Sequence, residues 1–303
     1  MKKTFYSNGK LLITGEYLVL DGAKALALPT KFGQTLIVEK GNNQEIKWIS
    51  FDSDGTIWFE DTIAFSTITQ KSIFEKESIK STLITILHEA YVLNPQLIDS
   101  SEGYIISTQL SFSRKWGLGT SSTLINNIAQ WLEINAFELL KNSFGGSGYD
   151  IACAQNHSPI IYHLEQEKPI VEKVNFEPSF SENLYFVYLN QKQSSKNAIA
   201  SYKEKKNNLE TQKEVINQIT ETVLEAKNID VFSKALQNHE KQLSSILETK
   251  TVKETLFPDF NGTIKSLGAW GGDFVLVISQ EDPKPYFVSK GYETIIPYSE
   301  MIL

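Results

Sequence analysis

The first forty residues alternate short aliphatic runs with turn-forming residues. Positions 11–14, 17–20, 24–28 and 34–38 are aliphatic or β-branched, and Gly9, Gly15, Asp21-Gly22, Pro29 and Gly33 punctuate them, so the pattern predicts four short strands. Asp21-Gly22 between two of these runs predicts a hairpin. Residues 46–50 and 56–59 predict two more strands. The period then lengthens: Ile79, Leu83, Ile86, Leu87 and Ala90 share one helical face, which predicts a helix over 73–93, stopped by Pro95. Residues 104–110 alternate as a strand. Helical runs follow at 121–132 and 136–141, and 160–163 predicts a strand. Around 165–182 the chain turns polar and carries Pro169 and Pro178, which places a domain boundary there: domains 1–178 and 179–303. The second half reads as a strand at 184–189, helices at 197–227 and 231–248, and strands at 274–279, 286–288 and 293–296. That order predicts a two-layer α+β domain. The lysines and glutamates of 203–214 read as a solvated helix face.

Composition narrows the picture. The 303 residues suit about two domains at roughly 100–200 residues each. Hydrophobic residues at 41% and charged residues at 21% exclude a disordered or collagen-like chain. A formal net charge of −7 argues against a general binder of nucleic acid or of anionic membranes, since both need basic surface, but it leaves room for a local cationic pocket. The single cysteine, Cys153, rules out an intramolecular disulfide and points to a reducing cytoplasm. Neither a signal-peptide apolar region nor a membrane-spanning run is expected.

Four segments carry candidate chemistry. Arg114-Lys115-Trp116-Gly117-Leu118-Gly119-Thr120-Ser121-Ser122 follows a strand and opens a helix. Its glycines let several N–H groups turn toward one point, and a helix N-terminus adds unpaired donors and partial positive charge, which suits a phosphate. The same residues also read as a glycine turn with a serine N-cap. Neither the Walker loop nor the dinucleotide fingerprint is present here. Gly145-Gly146-Ser147-Gly148-Tyr149-Asp150 places a carboxylate at the start of an apolar segment, as a proton acceptor or as a helix cap. Gly268-Ala269-Trp270-Gly271-Gly272-Asp273 precedes a strand and reads as a ligand-facing loop or a tight turn. Lys10 precedes the run that ends in Gly15-Glu16, and taken alone it reads as a surface lysine. His88 reads as a face or core histidine, His157 and His163 lack ligand-like company, His239 reads as exposed in a charged helix, and Cys153 reads as a small packing residue.

Taken in order, these four segments resemble the GHMP kinases, whose members include galactokinase, homoserine kinase, mevalonate kinase and phosphomevalonate kinase. Gly9 to Leu20 is similar to the family's first motif, Gly117 to Ser122 to its G-L-G-S-S-A loop with Thr120 at the first serine, Ser147-Gly148-Tyr149-Asp150 to its S-G-x-D segment, and Gly268 to Asp273 to its third motif. The resemblance implies an α+β, two-domain fold: an N-terminal ATP-binding domain with a left-handed β-α-β unit, a ferredoxin-like C-terminal domain, and reactants meeting between them. It implies phosphoryl transfer from ATP, with Mg2+, to a small-molecule alcohol or phosphorylated acceptor; the expectation of no nucleic-acid or membrane partner comes from the acidic charge and the lack of a spanning apolar run. A homodimer is admitted.

By the same resemblance, Lys115, Gly117, Leu118, Gly119, Thr120, Ser121 and Ser122 bind the nucleotide, and Ser121 reaches magnesium. Asp150 receives or orients the acceptor's proton and Lys10 neutralises the transferring phosphoryl. Glu16, Ser147, Lys192, Ser195, Lys196, Gly271 and Gly272 face the acceptor. A lean toward mevalonate or phosphomevalonate rests on Lys115, on Gly271-Gly272-Asp273, and on the polar run from Gln191 to Lys196, whose lysines suit a carboxylate. Three positions depart from the family pattern. Leu139 stands eleven residues before Asp150, where a second metal carboxylate is expected, and Glu138 beside it is turned by roughly 100° around the helix. Trp270 replaces a small residue, which crowds the site or stacks on a ligand, and Tyr17 replaces the histidine that commonly follows Glu16. The rival readings are a diphosphomevalonate decarboxylase and a ligand-binding homologue without catalysis.

Overall fold

The computed structural model describes residues 2–70, 78–192, 195–205, 209–270 and 272–303. The start of the 73–93 helix, Gln193, Ser194, part of the charged 203–214 face, and Gly271 lie outside the described residues.

Two compact units interleave along the chain. The first comprises Met1–Gly9, Phe32–Arg114 and Leu118–Gln155; the second comprises Lys10–Lys31, Lys115–Gly117 and Asn156–Leu303. A single cut at 178 therefore does not separate them, because the segments around Lys10 and Gly117 belong with the C-terminal half.

The chain begins with β1 (Lys3–Leu12) and β2 (Ala25–Lys40), whose residues are shared between the units. In the first unit, β3 (Glu45–Phe51), β4 (Ile57–Ala64) and β5 (Gly103–Leu110) join the second half of β2 in the order β4-β3-β5-β2. β3 runs parallel to β5, and β2 runs antiparallel to it, with Leu36 opposite Thr108. Helices α1 (Phe65–Thr69), α2 (Ile79–Leu93), α3 (Gln96–Asp99), α4 (Thr120–Leu132), α5 (Ala136–Ser143) and α6 (Tyr149–Gln155) complete the unit. Their apolar faces share one core with Leu36, Val38, Trp48 and Ile106. α2 starts at a reciprocal cap, with Ser78 accepting from Ser81 N, which satisfies one of the donors that a helix start leaves open.

In the second unit, the first half of β2 pairs with β6 (Ile160–Glu165), and β7 (Lys168–Lys173) pairs with β6. The remaining strands are β8 (Leu184–Tyr188), β9 (Thr263–Ser266), β10 (Phe274–Ile278) and β11 (Ile295–Pro297). They form an antiparallel sheet in the order β11-β8-β10-β9. Between β8 and β9 lie α7 (Ser195–Lys205), α8 (Glu210–Glu225), α9 (Ile229–Leu247) and α10 (Val252–Leu256); α11 (Lys284–Ser289) precedes β11 and α12 (Tyr298–Met301) follows it. The chain order β-α-β-β-α-β with this strand order is the ferredoxin-like arrangement.

Three sequence expectations fail. Residues 17–20 are not a strand: Leu18–Asp21 is a 3-10 turn, so Asp21-Gly22 closes no hairpin. The runs at 24–28 and 34–38 are one strand. Gly33 stays within that strand because a Cβ there would lie 2.3 Å from the Ser7 carbonyl oxygen, so a close backbone approach, and not a turn, explains the glycine. Residues 286–288 lie in α11, begun by Pro283, instead of in a strand.

Candidate functional site

In the first unit, α4 begins at Gly119, which takes a left-handed conformation (φ 96°) as N-cap and supplies no side-chain cap. The first-turn donors of this 13-residue helix are therefore not consumed by a serine or threonine cap. Ser122 instead donates back to the Gly119 carbonyl at 2.9 Å, and Thr123 Oγ1 lies 3.1 Å from the same oxygen. The Thr120 hydroxyl is buried without a hydrogen-bond partner among the described residues. Leu118 is fully buried, while Gly119, Thr120 and Ser121 are half-buried. A buried polar network sets the height of this helix: Ser7 donates to Asn127 Oδ1, Asn126 donates to Ser7 Oγ, and Thr123 donates to Gln34 Oε1, each at 2.8 Å.

Asp150 stands in the first turn of α6, which packs on α4, and Gln155 Nε2 ties the two by donating to Asn126 Oδ1 at 3.0 Å. Asp150 is thus a helical residue instead of the cap. Gly145, Gly146 and Gly148 before it all take positive φ, and Ser147 among them is half-buried. Leu139 faces the core and Glu138 is exposed, so α5 supplies no second metal carboxylate at the expected position. Cys153 is fully buried, as its packing reading requires.

In the second unit, Lys10 Nζ donates to the Gly117 carbonyl at 3.1 Å. Gly117 (φ 69°) lies so close to Asp273 that a Cβ there would meet its carboxylate at 2.3 Å. Trp116 meets Phe274 edge-to-face at 5.5 Å. The first and third motifs, far apart in sequence, thus meet the second at Trp116 and Gly117. Lys115 and Lys192 are exposed, and Gly272 is buried. Ser195 and Lys196 open α7, and Gly271 lies outside the described residues. The Trp270 indole N–H donates to the Lys250 carbonyl at 3.1 Å, which holds the ring to its own unit.

Glu16 is placed differently from the expectation of an acceptor ligand. It is 2% exposed and ion-paired with Lys265 at 2.5 Å, and Lys265 is itself fully buried and lies 3.4 Å from Glu240. His239, read from sequence as exposed, is also fully buried: its Nε2 accepts the Gly15 N–H at 2.9 Å and lies 3.3 Å from Glu16. Accepting that N–H makes the imidazole neutral, and burial with Lys265 nearby pushes its pKa well below the ordinary value. One ammonium serves two carboxylates. Burial raises Glu16 to about 7 against the lowering pull of Lys265, and burial raises Glu240 as well. A signal for these residues was present in the sequence. His239 and Glu240 fall on the apolar stripe Phe232, Ala235, Leu236, Leu243, Leu247 of α9, where a polar residue needs a buried partner.

Among the described residues no group of three His, Cys, Asp or Glu side chains could hold a metal, and no helix is long and apolar enough to cross a membrane. Neither a family profile nor a curated protein matches the sequence. Solved structures do match. Mevalonate kinase of Methanococcus jannaschii is 17% identical with TM-score 0.69, covering 96% of this chain and 94% of that one. Streptococcus pneumoniae phosphomevalonate kinase, in complex with phosphomevalonate and AMPPNP, is 16% identical with TM-score 0.71, covering 97% and 99%. Lactococcus lactis galactokinase, complexed with galactose, is 12% identical with TM-score 0.65, covering 95% and 88%. The chain has the fold these GHMP kinases share.

Proposed function

We propose that this GHMP-fold chain is an ATP-dependent kinase that transfers the γ-phosphoryl group to the hydroxyl of mevalonate or to the phosphate of phosphomevalonate. The observation that carries the nucleotide half is the start of α4: a left-handed Gly119, no side-chain cap, and the buried, unpartnered Thr120 hydroxyl. Open donors at a helix N-terminus are what a triphosphate tail requires. Lys115, Gly117, Leu118, Gly119, Thr120, Ser121 and Ser122 line that cradle in this reading. Lys10 neutralises the transferring group, and Asp150 receives or orients the acceptor's proton; positioning and charge stabilisation supply most of the rate in such transfers.

The donor set suits a magnesium ion that arrives on the nucleotide, since magnesium keeps most of its waters and takes one or two protein oxygens plus phosphates, and no dedicated three-residue cage exists among the described residues. Ser121 would hold it. When bound, the ion supplies neutralisation of phosphate charge. In this reading Lys192, Ser195, Lys196, Ser147 and Gly272 would serve the acceptor, and lysines among them would favour an acceptor with a carboxylate. Glu16 acts from the buried cluster in this scheme, not by touching the acceptor.

An ADP-release panel tests the reading: mevalonate, phosphomevalonate, galactose and other simple sugars, homoserine, and diphosphomevalonate with carbon dioxide detection. Turnover with one of the first two supports it. Turnover with galactose alone moves the protein to the sugar kinases, carbon dioxide release makes it a decarboxylase, and nucleotide binding without turnover makes it a binding protein.

A further inference from the structure

The turn after β1 has a conformation that no motif explains. Leu18 N–H donates to the Glu16 carbonyl at 2.7 Å, which closes a three-residue turn centred on Tyr17 at φ 62°, ψ −51°. This is a γ-turn of the rare, strained hand, and for a residue with a ring on Cβ it is an outlier. Such a conformation persists only where its surroundings over-determine it, and here they do so on both flanks. On one side His239 accepts the Gly15 N–H and Lys265 fixes the Glu16 carboxylate. On the other, Val19 N–H donates to the Gly15 carbonyl at 2.9 Å and Ala23 N–H to the Leu18 carbonyl at 3.0 Å.

The strained turn aims the Tyr17 side chain. Its hydroxyl accepts the backbone N–H of Trp270 at 3.0 Å, and its ring lies 5.5 Å from the ring of Tyr202 on α7. The Tyr202 hydroxyl in turn donates to Asp21 at 2.6 Å, on the same turn. Tyr17 is buried, so its hydroxyl has exchanged water for this one backbone amide. All of these residues belong to the second unit.

We propose that Tyr17 is a positioning residue for acceptor recognition: it pins the Gly268–Trp270 loop and seats α7 through Tyr202, so that this loop is held in one fixed position for the phosphoryl acceptor. This rests on the kinase reading above. The buried ion cluster is the anvil for the turn. Removing the Glu16–Lys265 pair or the His239 acceptor frees the backbone to relax, and the hydroxyl then loses its aim.

The test is Tyr17→Phe, which keeps the ring against Tyr202 and removes only the hydroxyl. Hydrogen exchange reads the Trp270 amide directly, and steady-state kinetics read the acceptor KM, kcat and the ATP KM. Expected are a fall in Trp270 protection of about tenfold and a rise in acceptor KM of about three- to tenfold, the worth of one hydrogen bond, with the ATP KM unchanged. A general loss of structure would move both KM values and the melting temperature together. Unchanged protection overturns the contact, and lost protection with an unchanged acceptor KM overturns its role in recognition. If Tyr17→Phe folds poorly, His239→Leu and His239→Gln make the same test from the anvil side. Leu offers Gly15 no acceptor and should raise acceptor KM, and Gln offers one and should restore it; equal values for both overturn the proposal. A wild-type chain that phosphorylates none of the panel, with Trp270 protection still lost in Tyr17→Phe, overturns the kinase reading and leaves the loop-pinning intact.

Discussion

Gly117→Ala probes the junction where three distant motifs meet. A methyl group at Gly117 would lie 2.3 Å from Asp273 Oδ2 and 2.4 Å from its Cγ, more than 1 Å inside the ~3.5 Å optimum for non-bonded atoms. Asp273 has little room to yield. Its N–H donates to the Gln191 carbonyl at 2.7 Å, its carbonyl accepts from Leu189 N–H at 2.8 Å, and it already sits at φ 53°. The overlap therefore costs about 1–3 kcal/mol, the range for overpacking. The backbone adds about 1–2 kcal/mol, because φ 69° at Gly117 is left-handed and a Cβ is penalised there. Together these give about 2–5 kcal/mol, a large share of the stability of any domain. Equilibrium urea unfolding of Gly117→Ala, Asp273→Gly and the double variant separates the two terms. The double variant should recover the overlap term of about 1–3 kcal/mol as a coupling energy and leave the backbone term in place. Affinity for AMPPNP should fall at least about tenfold in Gly117→Ala, since the displaced segment carries the Lys10 contact into the loop. Additive unfolding energies, within about 0.5 kcal/mol, would refute the claim that Asp273 is what keeps this position glycine.

Three further outcomes follow from the site. Asp150→Asn should lower kcat by about 10²–10⁴ while AMPPNP binding holds, as measured by turnover and calorimetry. Ser121→Ala should move the magnesium dependence of turnover to higher concentration, and a superimposable titration would remove Ser121 as the ligand. The buried cluster gives a pH signature in unfolding free energy. Burial raises Glu16 to about 7, so the native chain holds a proton that the unfolded chain releases, and this contribution to stability is present below pH 4.5 and lost on rising toward about 7. Stability of the wild type relative to Glu16→Gln should fall across that window. His239 has the opposite sign: its lowered pKa keeps it neutral in the native chain, so the wild type should gain stability relative to His239→Gln as pH rises toward 6.5, by up to about 1.4 kcal/mol per unit, and hold level above.

What could be read in the sequence was whatever local physics decides. The 117–119 glycines, the helix they open, and β8, α9 and β10 of the second half follow from backbone freedom and hydrophobic period, whereas β9 gives no such signal and α11 reads as a strand; the structure bears out the α+β architecture with its two sheets. Tyr17-Leu18-Val19-Leu20 was misread for a physical reason: four apolar residues satisfy a strand pattern, yet burial beside a strained turn satisfies them equally well, and only the hydrogen bonds of Gly15 and Leu18 decide. The pattern splits β2 because Pro29 and Gly33 mimic turns; Pro29 instead accepts Leu303 N–H through its carbonyl, and Gly33 makes room for Ser7. The cluster is hidden because no member, taken singly, points to the others: three look bland and Glu16 looks ligand-facing. His239 and Glu240 belong to a charged helix, Lys265 to a four-residue strand, and Glu16 to a motif that suggested a ligand. Taken together they do not stay bland. Two polar residues on an apolar helical stripe, and a lysine at a strand position where all four residues are buried, each demand a partner of opposite character; Lys265 pairs with Glu16 and Glu240, and His239 takes the Gly15 amide.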